Sequence, residues 1–200
     1  MALVNSFDSV IFDFGGVLVE HQTEADHRRM AELAGIPSAR FSELYWKHRA
    51  EYDRGTVTAA DYWSHLAEAG AHLDDGMIER LIQIDAQSWM RFDEPMWNWI
   101  ARLRSEDKRV AMLSNMPLDL GKALQKTTRL EAFDHVTLSY ELHSCKPEPA
   151  IYQHCLKGLG SSPEGTIFFD DRMENIEGAG VLGIRGFLFT NHDDALSRIG

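Results

Sequence analysis

The chain has 200 residues, of which 44% are hydrophobic, and a formal net charge of -11. This length fits one ordinary domain, or a core domain with a small insertion, and the composition is that of a soluble globular protein. The negative charge repels polyanions and argues against a nucleic-acid partner, and no segment approaches the roughly 18 to 20 consecutive apolar residues of a membrane span.

The first residues lack the basic and apolar regions of a signal peptide, so the cytoplasm is the expected compartment. In that compartment the two cysteines, Cys145 and Cys155, are expected to be free thiols. The sequence contains no internal repeat and no pattern that predicts an oligomeric state.

The first predicted element is a buried strand over residues 9–13. Its apolar run, residues 10–12, leads into Asp13, and Gly15 and Gly16 follow closely. A strand that ends in Asp-x-Gly-Gly must turn sharply, and glycine lets a backbone carbonyl approach a bound ion. A single aspartate at this place would be typical of an ordinary turn. A role for Asp13 in a site therefore depends on the residues that accompany it.

Residues 20–90 have helical periodicity and interrupt the strand pattern. Thr58 and Asp61 form a capping-box pattern, which predicts a helix start. A helical insert after the first strand lies above the carboxyl ends of the strands, where ligands bind in open α/β sheets, so it is predicted to be a lid. The predicted helices cover residues 25–34, 42–52, 59–69 and 77–90.

From about residue 92 onward, strand and helix patterns alternate. Such alternation predicts a parallel sheet with helices on both faces, and the first strand is expected to join it. The predicted strands cover residues 110–113, 135–138, 166–169 and 186–189. The predicted helices cover residues 96–104, 118–127, 149–159 and 175–182.

Polar residues follow two of these strands directly. Ser114 and Asn115 come after the strand at 110–113, and Asp170 and Asp171 come at the end of the strand at 166–169. Between them, Lys146 opens a Lys-Pro-Glu-Pro stretch just before a predicted helix.

Together with Asp13, and in this order, these pieces resemble the haloacid dehalogenase (HAD) superfamily of hydrolases over residues 9 to about 190. The resemblance implies an α/β fold, with a Rossmann-like core of five parallel strands. The core would comprise residues 1–17 and 91–200. A helical C1-type cap over residues 18–90 would cover the site and select the substrate.

Three carboxylates, those of Asp13, Asp170 and Asp171, are predicted to meet at one edge of the sheet. Like charges so close raise each other's pKa unless a cation neutralises them. Carboxylate oxygens and a backbone carbonyl, here that of Gly15, suit Mg²⁺, which also bridges to substrate phosphate. The sequence therefore predicts a magnesium site. The supporting residues in the second layer are expected to be Glu174 and Asn175.

The resemblance also implies a reaction. Asp13 would attack phosphorus and become a transient aspartyl phosphate. The Ser114 hydroxyl, the backbone N–H near Asn115 and the Lys146 ammonium would bind the phosphate and stabilise its developing charge. The predicted cap mixes aromatic and basic groups, and its candidate substrate-binding residues are Arg49 and Arg54. The expected substrate is a small phosphorylated metabolite.

The chain departs from the superfamily at one position. Most of its phosphatases carry an acid-base aspartate two residues after the nucleophile, where this chain has Gly15. Acid-base catalysis is typically worth ~10²- to 10⁴-fold in rate. A sugar 1-phosphate would need the acid least, because an anomeric oxygen leaves readily, and the chain resembles the α-glucose-1-phosphate phosphatase subgroup in having glycine here. Glu20 and His21 are the nearest titratable substitutes.

Two other functions remain open. A 2-haloacid dehalogenase uses the same nucleophile on carbon and does not need the second aspartate, but it works without a metal and gives no reason for Asp170 and Asp171. A non-catalytic phospholigand-binding protein would keep the fold without the reaction. The intact set of Asp13, Lys146 and the Asp-Asp pair argues against such decay.

Overall fold

The computed structural model describes residues 7–199, which form an α/β fold around one parallel sheet. The five strands lie in the order β3-β2-β1-β4-β5, so β1 is central. This confirms the predicted fold class and the predicted strands, whose ends shift by one residue at most. The strands are β1 (Ser9–Phe12), β2 (Arg109–Ser114), β3 (His135–Leu138), β4 (Thr166–Asp170) and β5 (Arg185–Leu188).

The register of the sheet fixes where the site can form. Phe12 lies opposite Met112 of β2 and opposite Phe169 of β4. The next positions along the three strands therefore emerge together at one edge of the sheet. In β1 and β4 every residue is buried, as expected for parallel strands covered on both faces.

Of the α-helices between β1 and β2, the first five form what we call the helical insertion (residues 24–88). Capping boxes begin two of them, at Thr23 with Asp26 and at Thr58 with Asp61, the second of which was predicted. The helices are α1 (Glu24–Ala34), α2 (Ser38–Lys47), α3 (Arg49–Asp53), α4 (Ala59–Ser64) and α5 (Asp75–Ser88).

Two predicted helices of the insertion are interrupted. The helix predicted over 42–52 breaks at His48, whose backbone (φ -107°, ψ 4°) leaves the helical range and separates α2 from α3. The helix predicted over 59–69 tightens after α4 into a 3₁₀ turn, His65–Ala69, which ends at Gly70. The insertion has its own buried cluster, built on aromatic side chains such as Phe41, Tyr45 and Trp63.

Six further helices cover the sheet. Cores form on both faces because successive strand residues point to opposite sides. Phe12 and Met112 pack against α6, whereas Ile11 and Leu113 pack against α9. The helices are α6 (Glu94–Ser105), α7 (Leu118–Gln125), α8 (Ser139–Leu142), α9 (Pro149–Leu159), α10 (Met173–Val181) and α11 (His192–Ile199).

The helical insertion is docked on the rest of the chain near the carboxyl ends of the strands. The Tyr52 hydroxyl donates to Asp119 Oδ2 at 2.9 Å, and Arg54 Nη1 donates to Glu148 Oε2 at 3.0 Å.

A division into a core and a cap at residues 17/18 and 90/91 stays a prediction, and residues 1–6 and 200 of the predicted core lie outside the described residues. Within the described part of the chain, no helix is long and apolar enough to cross a bilayer.

Candidate active site

A cavity of about 650 Å³ lies between the carboxyl ends of β1, β2 and β4 and the helical insertion. Its position matches the place where ligands bind in open α/β sheets. Most of the predicted site residues line it. They are Asp13, Gly15, His21, Arg49, Arg54, Ser114, Asn115, Lys146, Asp171, Glu174 and Asn175.

Asp13 follows the last residue of β1 and is 7% exposed. Its Oδ1 accepts a hydrogen bond from the backbone N–H of Phe14 at 2.6 Å and lies 2.6 Å from Lys146 Nζ. Because both contacts go to the same oxygen, the orientation of the carboxylate is restricted.

Lys146 is buried at the centre of the site. Its Nζ lies between two carboxylates, 2.6 Å from Asp13 Oδ1 and 2.7 Å from Asp170 Oδ2. Its backbone is held by the side chain of Asn115: Lys146 N–H donates to Asn115 Oδ1 at 2.8 Å, and Asn115 Nδ2 donates to the Lys146 carbonyl at 3.0 Å. The sequence pattern did not predict that the Asn115 amide positions the lysine.

The Asp-Asp pair divides into a buried and a cavity-facing residue. Asp170 is fully buried, and Asn175 Nδ2 donates to its two oxygens at 2.9 and 3.0 Å. Asp171 lines the cavity, and its Oδ2 lies 3.2 Å from His21 Nε2. Glu174, on the rim, is paired with Arg172.

The electrostatics of the site favour a cation. Asp13, Asp170 and Asp171 each offer a carboxylate oxygen, and these oxygens all lie within 4.8 Å of one another. Burial raises the pKa of Asp13 to about 8; the Lys146 ammonium opposes this rise and the Asp170 carboxylate adds to it. Burial and Asp170 likewise raise the pKa of Asp171. One lysine does not neutralise three carboxylates, so the donor set fits Mg²⁺.

Gly15 lies against the indole of Trp89, a contact that the sequence did not reveal. A Cβ built on Gly15 would lie 3.1 Å from Trp89 Cζ3, which is closer than nine in ten real Cβ contacts. The φ of Gly15 is outside the left-handed region, whereas Gly16 has φ +73°. The backbone would therefore accept a side chain at Gly15, and the indole is the obstacle.

The two predicted acid-base substitutes lie in different places. His21 lines the cavity beside Gly16 and Asp171, where a Cβ on Gly16 would meet the imidazole at 2.5 Å. Glu20 is not among the residues that line the cavity; its Oε2 lies 3.4 Å from Arg91 Nε and its side chain is mostly exposed.

Arg49 and Arg54 both line the cavity, but carboxylates already bind their guanidinium groups. Arg49 Nε donates to Asp53 Oδ1 at 2.7 Å and its Nη1 donates to Asp85 Oδ2 at 3.1 Å. Burial disfavours the charge of Arg49, but Asp53 and Asp85 outweigh burial and raise its pKa further. Arg54 donates to both oxygens of Glu148.

A family model of haloacid dehalogenase-like hydrolases matches residues 7–183. The chain belongs to the haloacid dehalogenase-like hydrolases. This confirms the superfamily and the enzyme class expected from the motifs.

One relative of this hydrolase is a sesquiterpene phosphatase from Aspergillus oryzae, 26% identical over 94% of this chain and 93% of the relative. Two solved structures share the fold. An HAD family enzyme from Bacteroides thetaiotaomicron, an aspartate-to-alanine variant in complex with magnesium and inorganic phosphate, has a TM-score of 0.76 at 23% identity over 92% of this chain and 94% of that chain. An L-2-haloacid dehalogenase has a TM-score of 0.78 at 19% identity over 98% of this chain and 99% of that chain.

Proposed function

We propose that this hydrolase is a Mg²⁺-dependent phosphatase of small phosphorylated metabolites, with Asp13 as the nucleophile. The observation that carries the proposal is the cluster of three carboxylates around Lys146, at the carboxyl edge of the sheet and beside a cavity of about 650 Å³. The cluster combines a nucleophile, a cation site and a fixed positive charge, the parts that phosphoryl transfer needs.

The metal would be held by Asp13, Asp171, Asp170 and the carbonyl of Gly15. When bound, Mg²⁺ supplies charge neutralisation and a fixed orientation for the phosphate oxygens. Asn175 and Lys146 donate hydrogen bonds to the Asp170 carboxylate. The resemblance to the family implies this supporting role for Asn175. Glu174, which faces Arg172 at the rim, would contribute negative charge without direct ligation.

Hydrolysis would take two displacements at phosphorus. In the first, an Asp13 oxygen forms a bond to phosphorus, the bond to the leaving oxygen breaks, and the leaving group takes up a proton. In the second, water attacks phosphorus, releases inorganic phosphate and restores the Asp13 carboxylate. Throughout, Lys146, the Ser114 hydroxyl and the backbone near Asn115 would stabilise charge on the phosphoryl oxygens.

Protonation of the leaving group needs an acid from elsewhere in the site, because Gly15 and the Trp89 indole occupy the place of the usual aspartate. His21 is the first residue to test, since it lines the cavity, and Glu20 is not expected to contribute. We also propose that substrates with readily departing oxygens, including sugar 1-phosphates, are favoured. The helical insertion would serve as the cap of the C1 type.

The dehalogenase alternative rests on a shared fold alone at 19% identity. A 2-haloacid carries a carboxylate, and in the described structure each arginine that lines the cavity is already paired with a protein carboxylate. Displacement of halide needs no metal, so it would also leave the carboxylates of Asp170 and Asp171 without a role. The geometry therefore favours phosphate esters.

A substrate screen tests the proposal. The protein should hydrolyse phenyl phosphate with Mg²⁺, and the activity should disappear with EDTA and in Asp13→Asn. Glu20→Gln serves as a control that keeps the activity. Metal-independent release of chloride from chloroacetate, without phosphatase activity, would establish the dehalogenase. Binding of phosphate without turnover of any ester would establish the non-catalytic protein.

A further inference from the structure

The cavity wall on the side of the helical insertion combines paired charges with an uncovered indole. Trp46, near the end of α2, is 52% exposed although it lines the cavity. Its ring packs edge-on against Tyr45, with ring centroids 4.9 Å apart, and lies tilted against His27 at 6.1 Å, while about half of its surface stays exposed. Of the large apolar side chains that are exposed in the described structure, Trp46 is the one that lines this cavity.

In the part of the chain that the structure describes, every lysine and arginine that lines the cavity is paired with a protein carboxylate. Lys146 forms ion pairs with Asp13 and Asp170. Arg49 forms ion pairs with Asp53 and Asp85, and it is buried too deeply to exchange these partners for a ligand. The two remaining arginines are paired as well: Arg54 with Glu148, and Arg172 with Glu174.

The charge that a substrate meets therefore differs along the cavity. At the carboxyl edge of the sheet, Lys146 and a bound cation favour one phosphate. Further out, toward the insertion, a second anionic group would find no unpaired cation and would meet the carboxylates of Asp53 and Glu148. An unpaired anion moved out of water is strongly disfavoured.

We infer that the site selects phosphate monoesters whose leaving group is uncharged and presents an apolar ring, an apolar chain or the C–H face of a sugar to Trp46. This inference rests on the proposed phosphatase function and adds the substrate class. Aromatic side chains supply large contact areas with a defined geometry, and ligand cavities combine such surfaces with few polar groups. Substrates with a second phosphate or a carboxylate are disfavoured, because the arginines that line the cavity are already paired with protein carboxylates.

A matched pair of esters tests the charge rule. The phosphate esters of 4-hydroxybenzamide and 4-hydroxybenzoate have nearly the same shape and differ in one charge. The wild type should prefer the amide ester by about tenfold or more in kcat/KM, the range of one unfavourable charge contact. Equal turnover, or preference for the carboxylate ester, would overturn the inference.

The variant Glu148→Gln offers a sharper form of the same test, because it leaves the Arg54 guanidinium without its carboxylate. Turnover of the carboxylate ester should rise several-fold, while turnover of the amide ester stays the same. An unchanged ratio of the two esters would show that Arg54 does not face the leaving group and would count against the charge rule.

The contact with Trp46 is tested by Trp46→Ala. The KM for the amide ester should rise roughly tenfold through lost apolar contact, and Trp46→Phe should restore most of the loss. Acetyl phosphate, whose leaving group is too small to reach the indole, should be unaffected. Val181→Ala, at an exposed apolar residue outside the cavity, is the control. An equal effect on acetyl phosphate, or no effect on either substrate, would overturn the role of Trp46.

Phenyl phosphate and acetyl phosphate together separate the two proposals. If the wild type hydrolyses neither of them with Mg²⁺, the phosphatase function fails. The substrate class is then decided by binding of the two esters to Asp13→Asn with Mg²⁺, measured by calorimetry. Tighter binding of the amide ester would support the inference, and equal binding would refute it.

Discussion

Replacing Gly15 by aspartate should restore an acid-base group only if the Trp89 indole makes room for it. The new Cβ would lie 3.1 Å from Trp89 Cζ3 and 3.7 Å from Cη2, so the ring must retreat by a few tenths of an ångström. Trp89 is buried and packed in the main hydrophobic cluster, and overpacking of this kind typically costs ~1–3 kcal/mol. Gly15→Asp should therefore lower the free energy of unfolding by about 1–2 kcal/mol.

A double-mutant cycle measures whether the indole causes that loss. Trp89→Phe removes part of the fused ring that a side chain at Gly15 would meet. Urea denaturation of the wild type, the two single variants and the double variant should give a coupling free energy of about 1 kcal/mol, in favour of the double variant. If the two effects add within about 0.5 kcal/mol, Trp89 is not the obstacle.

The same four proteins show the catalytic consequence. An alkoxide such as that of glycerol phosphate needs a proton far more than a phenolate does, so the wild type should hydrolyse phenyl phosphate much faster. The double variant should raise kcat/KM for glycerol phosphate by at least about tenfold, within the usual range of acid-base catalysis. Gly16→Asp is the control and should lose stability without gaining turnover of glycerol phosphate, because its φ of +73° and its contacts with His21 and Asp171 oppose any side chain. Equal wild-type turnover of both esters would refute the reasoning and make His21 the next residue to replace.

Three further predictions follow from buried or paired charges. Because the pKa of Asp13 is raised to about 8, the Asp13 carboxyl of the folded, metal-free protein stays protonated near neutral pH. The Mg²⁺ affinity measured by calorimetry should therefore rise between about pH 6 and pH 8, with release of a proton on binding. An affinity that does not change with pH would contradict the raised pKa. Arg49→Met leaves the buried Asp85 without its cation and should lower the free energy of unfolding by ~3–5 kcal/mol in urea denaturation. A loss below about 1 kcal/mol would contradict a stabilising ion pair between Arg49 and Asp85. The hydrogen bond from Arg54 lowers the pKa of Glu148 to about 2, so this pair stabilises the fold above the usual glutamate pKa near 4.5, and its contribution is lost as the pH falls toward 2. The difference in free energy of unfolding between wild type and Arg54→Gln should be under ~1 kcal/mol, because the pair is half-exposed. This difference should shrink from about pH 6 to pH 3, and growth over that range would contradict the lowered pKa.

The sequence predicted the sheet because its signals are local. Apolar runs of four or five residues alternate with helical periodicity, and parallel strands bring their carboxyl ends to one edge whatever the loops do. This is why Asp13, Ser114 and Asp170, far apart in the chain, could be placed together before their contacts were known. The capping box at Thr58 was equally local and was confirmed.

The features that were missed depend on contacts between distant segments. The break at His48 has no proline or glycine to announce it, and the contact of Trp89 with Gly15 joins the end of the insertion to the first loop. Arg49 and Arg54 could be recognised as basic residues of the insertion, but their partners Asp85 and Glu148 lie elsewhere in the chain. Composition gives a charge, and only the fold shows whether that charge is free to bind a ligand.

The most direct test of the proposed function is to look for the phosphoryl group on Asp13 itself. The protein is mixed with acetyl phosphate and Mg²⁺, quenched in acid within the first turnovers, digested and analysed by mass spectrometry. Because Gly15 provides no base to speed the second displacement, the intermediate should accumulate on the peptide that contains Asp13, should be removed by hydroxylamine, and should be absent with EDTA and in Asp13→Asn. Release of phosphate while Asp13 stays unmodified, or a phosphoryl group on any other residue, would contradict Asp13 as the nucleophile.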